Sequence, residues 1–358
     1  MSYRSKGFEF SLASSEDSDK ILRLFEDMDF SGDISVLFTR RPNPYNSLMA
    51  EGETVIIPIV RDMSDGTICA MGCCIIRKAF INGTVKNIGY LTGLKIKKEY
   101  KSILHMFKNV YKFLYESTRN MVDVYYTTIL EDNKGAQKLL EKRRKSMPIY
   151  NYDGDYTVYC FSKSAYNLKI KDRNMKKYKF EVSSKEKVRE FYKNNLNKYN
   201  FSPIDIDLYG ICNDDFFTIQ NEEGDIVAAC ALWNQNHYKQ YIVTKYSGIL
   251  KYINKLPTGW LGYPSFPKKD IPINCASISL FFVKDMDLKI AEYFLRQVAQ
   301  YDEKYDLLMI GIFEIHPFNN ILNNIKHIKY KSRFYRVNWE DELLELDEKL
   351  MNIEIGLL

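Results

Sequence analysis

The sequence predicts an α+β protein made of two similar halves, each with antiparallel strands and amphipathic helices. The chain has 358 residues, about twice the usual length of one domain. In both halves, short apolar runs that alternate like strands are interleaved with segments of helical period. A basic, aperiodic segment, residues 163–178, separates the halves and is typical of an exposed connection.

The first half begins with a strand and a helix. Residues 8–13, "FEFSLA", alternate apolar and polar side chains, which predicts a strand. Residues 14–28, "SSEDSDKILRLFEDM", start with capping candidates and continue with apolar residues at helical spacing. Residues 37–53, "LFTRRPNPYNSLMAEGE", contain two prolines and predict a short, broken helix.

The remainder of the first half predicts an antiparallel meander followed by helix, strand, helix and strand. Residues 54–96 contain three strand-like runs separated by "SDG" and "NG" turns. The next four elements are "SILHMFKNVYKFLYESTRN" (102–120), "VDVYYTTIL" (122–130), "EDNKGAQKLLEKRRK" (131–145) and "GDYTVYCF" (154–161). The order is therefore β-α-α-β-β-β-α-β-α-β.

The second half repeats this plan. Its expected elements are strand 179–183, helix 184–199, a hairpin over 215–235 turned at "EEGD", strand 238–246, strand 275–283, helix 288–305, strand 306–313, helix 319–328 and strand 332–339. The predicted boundaries are a first domain at 1–162, a linker at 163–178, a second domain at 179–338 and a tail at 339–358. We expect the tail to add a helix or a strand.

The composition argues against several classes of partner. The formal net charge of +5 is too small for a dedicated nucleic-acid binder, and no RNA-binding pattern is present, so we expect no nucleic-acid partner. The seven cysteines form no C-x-x-C pair and lie mostly in apolar runs, which suits a reducing, cytoplasmic location. No apolar stretch approaches the ~18 residues needed to span a bilayer, and we expect no membrane partner. The histidines lack metal-ligand spacing, so no metal is expected.

Three stretches carry a resemblance to a known family. They are "GYLTGLKIKKEYKS" (89–102), "TTILEDNKGAQKLLEKRRKSMPIY" (127–150) and "ALWNQNHYKQYIVTKYS" (231–247). With the element order, they resemble the GNAT superfamily of N-acetyltransferases, and the whole chain resembles its tandem-domain members. The first stretch looks like the fourth strand and pyrophosphate loop, the second like the fifth strand and fourth helix, and the third like part of the C-terminal half of such tandem proteins.

The resemblance implies that each half is a mixed, mostly antiparallel sheet flanked by helices. It also implies an acyl-CoA site between the fourth and fifth strands, where the pantetheine arm pairs with the fourth strand and the next helix turns its N–H groups toward the diphosphate. The implied co-substrate is acetyl-CoA or another acyl-CoA. The implied cofactor-binding residues are Leu94, Lys95, Ile96, Lys101, Ser102, Ile103, Leu104, His105, Met106 and Asn133.

The chain departs from the family pattern at the phosphate turn. Leu104 and Met106 stand where the family has small residues, and a large side chain there crowds the phosphates or widens the turn. The N–H groups of the helix start remain, and Lys97, Lys98 and Lys101 add positive charge. These lysines form either an anion site or a solvated turn.

The corresponding turn of the second half has the opposite charge. Asp285 and Asp287 stand where phosphates would lie, and carboxylates at such a position are good helix caps but poor phosphate hosts. We therefore expect the first half to be the half that binds acyl-CoA.

Candidate catalytic groups lie near the ends of the two central strands. Glu131 or Asp132 is a candidate general base, although "EDN" is also a good helix cap, and Asn133 is either a ligand of the CoA arm or that cap. Tyr90 is a nearby hydroxyl donor. In many family members a Tyr seven residues after the Asn is the acid, and this chain has Leu140 there.

Arg40 and Arg41 lie in the region that lines the acceptor pocket in the family. They either hold an anionic group of the acceptor or pair with protein carboxylates. The predicted function is acyl-CoA-dependent transfer of an acetyl group to a small-molecule or peptide amine. The alternative is a catalytically inactive protein of the same fold that binds a small acid, a peptide or a protein partner, because the loop glycines and the Tyr are absent.

Overall fold

The fold was analysed in a computed structural model that describes residues 2–27, 33–100, 104–144, 147–166, 173–301, 303–339 and 343–358. The strands are β1 (Ser2–Ser5), β2 (Phe8–Leu12), β3 (Ile34–Thr39), β4 (Thr54–Ile56), β5 (Pro58–Asp62), β6 (Ile68–Ile81), β7 (Thr84–Ile96), β8 (Val124–Leu130), β9 (Ile149–Phe161), β10 (Lys179–Ser183), β11 (Ser202–Pro203), β12 (Phe216–Gln220), β13 (Ile226–Trp233), β14 (Gln240–Tyr246), β15 (Cys275–Val283), β16 (Leu307–Phe313) and β17 (Ile328–Asn338). The helices are α1 (Ser18–Glu26), α2 (Pro44–Met49), α3 (Leu104–Thr118), α4 (Lys134–Leu140), α5 (Lys185–Lys193), α6 (Leu250–Ile253), α7 (Leu288–Tyr301) and α8 (Asn319–Leu322).

One sheet of 15 strands runs through both halves, in the order β1-β2-β5-β6-β7-β8-β17-β9-β16-β15-β13-β12-β10, with β4 and β11 paired to β6. Among the described ladders of this sheet, only β7–β8 and β15–β16 are parallel. The prediction of a mixed, mostly antiparallel sheet flanked by helices is confirmed.

The predicted turns form the hairpins. The β6–β7 turn has Asn82 at φ +53° and Gly83 at φ +74°, the backbone that Asn-Gly favours in a two-residue hairpin. Gly224 of "EEGD" has φ +86° in the β12–β13 hairpin. The short-range prediction is correct at both turns because their geometry depends on the turn residues themselves.

Two strands are exchanged between the halves. Strand β17, from the end of the second half, lies between β8 and β9 of the first half and is antiparallel to both. Strand β9, from the first half, lies between β17 and β16. The sheet therefore continues from the first half into the second. The domain boundaries given above stay a prediction.

A second, two-stranded sheet also joins the halves. Strand β3 pairs antiparallel with β14 from Thr39↔Gln240 to Ile34↔Tyr246. The sequence analysis predicts β14 as a strand but not β3. It assigns residues 37–39 to the start of a broken helix, and this is wrong, because these residues lie in β3 and helix α2 begins only at Pro44. Short strands of this kind form through their partner rather than from their own pattern.

The end of the tail, residues 351–358, lies mostly in the interior. The expectation of an added helix or strand is wrong for the described residues: residues 343–358 form no α-helix and no strand ladder, with one bridge between Met351 and Asn200 and a 3-10 turn at Ile355–Leu357. Met351, Ile353 and Ile355 are buried in the same apolar cluster as the first-half strands. The tail therefore completes a core instead of forming a separate element.

The seven cysteines are all free, and six are buried, as the apolar runs predict; Cys212 is exposed. In the described part of the chain, no helix is both long enough and apolar enough to cross a membrane.

Candidate functional site

The central feature of the first half is the point where two parallel strands separate. Strands β7 and β8 pair in parallel only from Ile88↔Val124 to Tyr90↔Tyr126. Beyond Tyr90, β7 continues to Ile96 and β8 to Leu130 without further pairing between them. A side chain makes the next link, since the Thr127 hydroxyl donates to the Leu91 carbonyl at 2.7 Å.

Gly93 bends β7 just past this point. Its φ is +63°, and the β6–β7 register shifts between Met71 and Cys73. A Cβ at Gly93 would lie 3.6 Å from Cβ of Cys73 and 3.8 Å from Cζ of Phe25, so space permits a side chain and the backbone conformation is what favours glycine. From Thr92 to Lys95, β7 is at least partly open to solvent.

Phe25 of α1 packs beside the bend. The Nζ of Lys95 lies 5.8 Å from the centroid of the Phe25 ring, and the Arg40 guanidinium carbon lies 6.0 Å from the same centroid. The ring thus separates β7 from a buried group of charges.

That group, called here the charge cluster, consists of Arg40, Glu51 and Lys239. Arg40 holds Glu51 with two parallel hydrogen bonds of 3.0 and 3.1 Å, and Nζ of Lys239 lies 3.2 Å from Oε1 of Glu51. Their side chains are almost completely buried. A buried carboxylate is stable only when it is well paired, so the cluster depends on residues from both halves.

Burial and charge shift the titration of the cluster. Burial alone would raise the pKa of Glu51, but the charges of Arg40 and Lys239 outweigh it and lower that pKa to about 2. For Lys239, burial is the largest effect, and the pKa falls to about 8 although Glu51 opposes the shift. Glu51 is therefore ionised at neutral pH, and Lys239 loses its proton more easily than an exposed lysine.

The tail meets this cluster. Lys239 donates to the main-chain oxygens of Gly356 and Leu358, and Nη2 of Arg77 donates to the Leu357 carbonyl at 2.9 Å. The Arg77 guanidinium carbon is 6.0 Å from the centroid of the Tyr90 ring. The tail backbone thus lies close to the last paired residue of β7.

Tyr90 is buried, and its ring stacks on Tyr126 with centroids 5.0 Å apart. Its hydroxyl lies 3.2 Å from Oγ1 of Thr128 on β8. Burial raises the pKa of Tyr90, so its hydroxyl keeps its proton at neutral pH. In this state Tyr90 can donate a hydrogen bond and cannot serve as a base.

The other catalytic candidates lie at the far end of β8. Glu131, Asp132 and Asn133 are exposed in the turn between β8 and α4. Asn133 is the N-cap of α4, because its side-chain oxygen accepts from the Ala136 N–H at 3.1 Å. Leu140 is buried in an apolar cluster with Tyr111. The capping alternative for Asn133 is therefore present, and its ligand role stays a prediction.

Of the predicted phosphate turn, residues 101–103 (Lys101, Ser102 and Ile103) lie outside the described residues. Leu104, His105 and Met106 form the first turn of α3. Before the turn, the Tyr100 hydroxyl donates to Oδ2 of Asp62 at 2.9 Å, and Ile96 is buried whereas Leu94 is exposed. The strand-to-helix junction thus exists where the sequence predicts it.

The two candidate acceptor-binding arginines have different surroundings. Arg40 is buried in the charge cluster, and its Nη1 also donates to Ser47 at 3.0 Å. Arg41 is half exposed and forms two hydrogen bonds to Glu26, of 2.7 and 3.1 Å. Both therefore pair with protein carboxylates, the second of the two alternatives given above, and a role in acceptor binding stays a prediction.

The second half contains the corresponding junction in a closed form. Strands β15 and β16 pair in parallel only from Cys275↔Leu307 to Ser277↔Met309. Leu280, three residues further along β15, has φ +54°. Its carbonyl accepts from the Tyr192 hydroxyl at 2.7 Å, and its N–H donates to Oε2 of Glu354 at 2.8 Å.

A small cavity lies beside these strands. It has a volume of about 20 Å³, and its lining includes Tyr199, His316, Phe318 and Glu354, so it can hold about one water molecule. Burial raises the pKa of Glu354 to about 7, although the Leu280 N–H opposes the shift. The tail thus places a carboxyl group where the second pair of strands separates.

A carboxylate occupies the start of the helix that follows β15. Oδ1 of Asp287 accepts from the N–H groups of Lys289 and Ile290 at 2.8 and 3.1 Å. The second-half junction therefore uses these helix N–H groups for an internal cap, as the sequence analysis expects for Asp287.

Sequence reasoning did not identify Glu51, Lys239 or Arg77 as parts of the site. The available signal was a charged residue within an aromatic and apolar run, as in "HYKQYIV" around Lys239. An ionisable side chain in such a run either has a charged or hydrogen-bonding partner when it is buried, or stays exposed to solvent. Among the described residues, no group of three or more His, Cys, Asp or Glu side chains is arranged to hold a metal ion.

No family model and no curated protein matches the chain by sequence. Solved structures do resemble it. A probable N-acyltransferase of unknown function from Enterococcus faecalis V583 has a TM-score of 0.50 and 9% identity, over 92% of this chain and 72% of that one. Yeast (Saccharomyces cerevisiae) N-myristoyltransferase with bound myristoyl-CoA has a TM-score of 0.54 and 9% identity, over 97% of this chain and 88% of that one.

A third similar structure is the GCN5-related glucosamine N-acetyltransferase region of a fungal multi-domain β-N-acetylglucosaminidase. It has a TM-score of 0.57 and 12% identity, over 92% of this chain but only 38% of that larger protein. At these identities the comparisons establish the fold alone. The two separating pairs of central strands and these structural neighbours together show that the chain has the fold of the GCN5-related N-acetyltransferases, as its sequence motifs predict.

Proposed function

We propose that the protein is an acyl-CoA-dependent N-acyltransferase that binds its acyl-CoA in the first half, between β7 and β8. The similar structures include acyltransferases, among them one with myristoyl-CoA bound. Fold does not specify chemistry, so the proposal also needs support from the site of this chain.

The observation that carries the proposal is the difference in burial between the two separating strands. Past its last pairing with β8, strand β7 has four residues, Thr92–Lys95, that are at least partly accessible to solvent. Past its last pairing with β16, strand β15 is buried at every residue except Phe281, which is partly exposed. An extended pantetheine arm needs an accessible strand to pair with, and only β7 offers one.

The distribution of charge also favours acyl-CoA binding in the first half. The junction after β7 carries Lys97, Lys98 and Lys101, and the N–H groups at the start of α3 follow. A diphosphate is favoured at such a helix start by the N–H groups, by the helix dipole and by the lysines. The second-half junction has Asp287 at the equivalent place, so phosphate binding there would require displacing an internal carboxylate.

The reaction requires an uncharged amine to attack the thioester carbonyl. The new C–N bond forms, the C–S bond breaks, the amine proton goes to a base, and the CoA thiolate leaves and takes a proton. Tyr90 is proposed as the donor to the carbonyl oxygen or the leaving sulfur, because its raised pKa keeps it protonated and it lies where the strands separate. Glu131 or Asp132 is proposed as the base for the acceptor amine, and Arg40 and Arg41 as residues that shape the acceptor side.

The acyl group is proposed to be acetyl, and the yeast neighbour makes a long chain the alternative to test. A thermal-shift titration with acetyl-CoA, myristoyl-CoA and free CoA distinguishes them. A ligand at 100 times its dissociation constant stabilises a protein by about 2.7 kcal/mol. We expect an increase in melting temperature with acyl-CoA, and the acyl-CoA that acts at the lower concentration identifies the chain length.

A charge-reversal variant tests where the acyl-CoA binds. Lys101→Glu should abolish the shift, because a carboxylate then faces the diphosphate. Lys108→Glu is the matched control: it makes the same change at an exposed position on α3 about one turn from its start, and the shift should remain. Absence of any shift with all three ligands would refute the proposal and favour the inactive binding protein.

A further inference from the structure

An exposed apolar surface lies in the second half, far in sequence from the proposed acyl-CoA site. It consists of Ile249, Tyr252, Leu256, Trp260 and Leu261, in the connection between β14 and β15, and is called here the aromatic tip. Trp260 is 91% exposed, Tyr252 78% and Ile249 72%. Single exposed apolar residues are ordinary, but five within 13 positions form a patch that requires an explanation.

The tip is folded. Hydrogen bonds from the N–H groups of Tyr252 and Ile253 to the Ile249 carbonyl begin a helical turn, which places Ile249 and Tyr252 on one side, and Leu256 follows the turn. A 3-10 turn at Thr258–Leu261 then presents Trp260 and Leu261. The apolar residues are therefore held outward by local backbone structure.

Side-chain hydrogen bonds fix the base of the tip. The Tyr246 hydroxyl donates to the Pro267 carbonyl at 2.6 Å, and the Thr258 hydroxyl donates to the Pro264 carbonyl at 2.8 Å. Ser164 reaches the Tyr263 carbonyl at 3.3 Å. These hydrogen bonds hold the base of the tip in place, so its apolar side chains stay exposed.

The sequence around the tip has a positive net charge. Residues 245–271 contain five lysines and a single acidic residue, Asp270; the lysines are Lys245, Lys251, Lys255, Lys268 and Lys269, and all are exposed. In the described part of the chain, none of the five has a carboxylate within 4 Å. The lysines are thus available to an external anion.

This composition fits a lipid surface better than a protein surface. Lysine is depleted where proteins meet, whereas Trp and Tyr beside lysine are typical of the boundary between lipid headgroups and acyl chains. Clustered lysines near such a boundary are attracted to anionic headgroups. The absence of a spanning stretch, from which the sequence analysis expects no membrane partner, does not bear on binding at the surface.

We propose that the aromatic tip binds the surface of an anionic lipid bilayer, with Trp260 and Leu261 among the headgroups and the lysines in contact with the lipid phosphates. The protein then binds the bilayer peripherally, through this tip. The inference is independent of the proposed acyltransfer, because the tip and the β7–β8 site share no residue.

The chain carries its own probe for this binding. Of its three tryptophans, Trp233 is buried and Trp339 stacks on Tyr115 with centroids 4.9 Å apart. Trp260 therefore accounts for any change of tryptophan environment at the surface. With vesicles that contain phosphatidylserine, we expect the emission to shift to shorter wavelength and the protein to sediment with the vesicles; both effects should weaken in high salt.

Matched variants test the residues. Leu261→Ser should reduce vesicle binding, and Ile315→Ser should not, although both side chains are 71% exposed. Lys251→Gln and Lys255→Gln should each weaken binding about fivefold, and Lys108→Gln should have no effect. Unchanged melting temperatures show that the variants remain folded.

Three results would overturn the proposal. The first is no binding to phosphatidylserine vesicles at low salt. The second is equal binding to pure phosphatidylcholine vesicles, which would remove the role of the lysines. The third is concentration-dependent dimerisation that Leu261→Ser abolishes without any vesicle binding by the native chain, which would make the tip an interface between two copies.

Discussion

The first and second halves have the same junction between their central strands and use it differently. In each half, three residue pairs are parallel, a residue with positive φ follows three positions after the last pair, and the strands separate. In the first half that residue is Gly93, on a partly accessible strand. In the second half it is Leu280, which is buried and held by Tyr192 and Glu354.

The difference teaches that the same separation of two parallel strands can be left accessible or be filled by groups of the protein itself. The β15–β16 separation is retained, but a tyrosine and a tail carboxyl group now satisfy the Leu280 backbone, and Asp287 caps the next helix. Buried backbone polar groups need partners, so a strand without a ligand has to find them within the protein. On β7, residues Thr92–Lys95 remain at least partly accessible to solvent.

The largest expected effect concerns the charge cluster that joins the halves. Glu51→Gln leaves Arg40 and Lys239 buried without a carboxylate, and breaking a buried pair in this way costs about 3–5 kcal/mol. Urea unfolding should show that loss. Glu53→Gln, at the exposed pair with Lys78, is the matched control and should change stability by at most about 1 kcal/mol. Equal effects of the two changes would contradict the role of burial.

The next prediction concerns the pH dependence of stability at the junction between β15 and β16. The pKa of Glu354 is raised from 4.5 to about 7, so the folded state favours the protonated form. Stability contributed by this group is present below pH 4.5 and is lost as pH rises through about 7, by on the order of 3 kcal/mol. Glu354→Gln should remove this part of the pH dependence, because an amide does not ionise.

Unfolding measured from pH 4 to pH 9 checks this. Asp214→Asn, an exposed acid of the same half, is the control and should leave the profile unchanged. If native chain and Glu354→Gln lost stability in parallel above pH 5, the tail carboxyl group would not be the titrating group.

A smaller effect is expected at the open junction. Gly93→Ala places a Cβ on a backbone with φ +63°, which costs about 1–2 kcal/mol. It should also reduce the acyl-CoA thermal shift, because the bend of β7 relaxes. Gly72→Ala on the neighbouring strand is the control, since φ there is not positive and the nearest atom to its Cβ would be 3.9 Å away. A Gly93→Ala protein as stable as the native chain would show that the bend is not strained.

The smallest effects compare the two helix caps. Asn133→Ala and Asp287→Ala each remove a cap and should each cost about 1 kcal/mol in urea unfolding. Only Asn133→Ala should also weaken the acyl-CoA thermal shift, if Asn133 contacts the CoA arm. Equal thermal shifts in both variants would leave Asn133 with a structural role alone.

The sequence predicts well what depends on neighbouring residues. The "NG" and "EEGD" turns, the helices α3 and α7 and the cap at Asn133 follow from short patterns, and the structure has all of them. The pairing of β3 with β14 and the exchange of β9 and β17 were not predicted, because the partners are far apart in the chain. Pairing partners are selected by the packing of the whole sheet, which a local pattern does not record.

By itself, the sequence determined the fold, the strand-to-helix junction after β7 and the acidic helix cap at Asp287 in the second half. Only the tertiary structure decided which junction is open, that Arg40 pairs with Glu51 and Lys239, and that the tail fills the core. The physical reason is distance along the chain. Turns and caps act over a few residues, whereas burial and charge pairing depend on which distant residues the folded chain brings together.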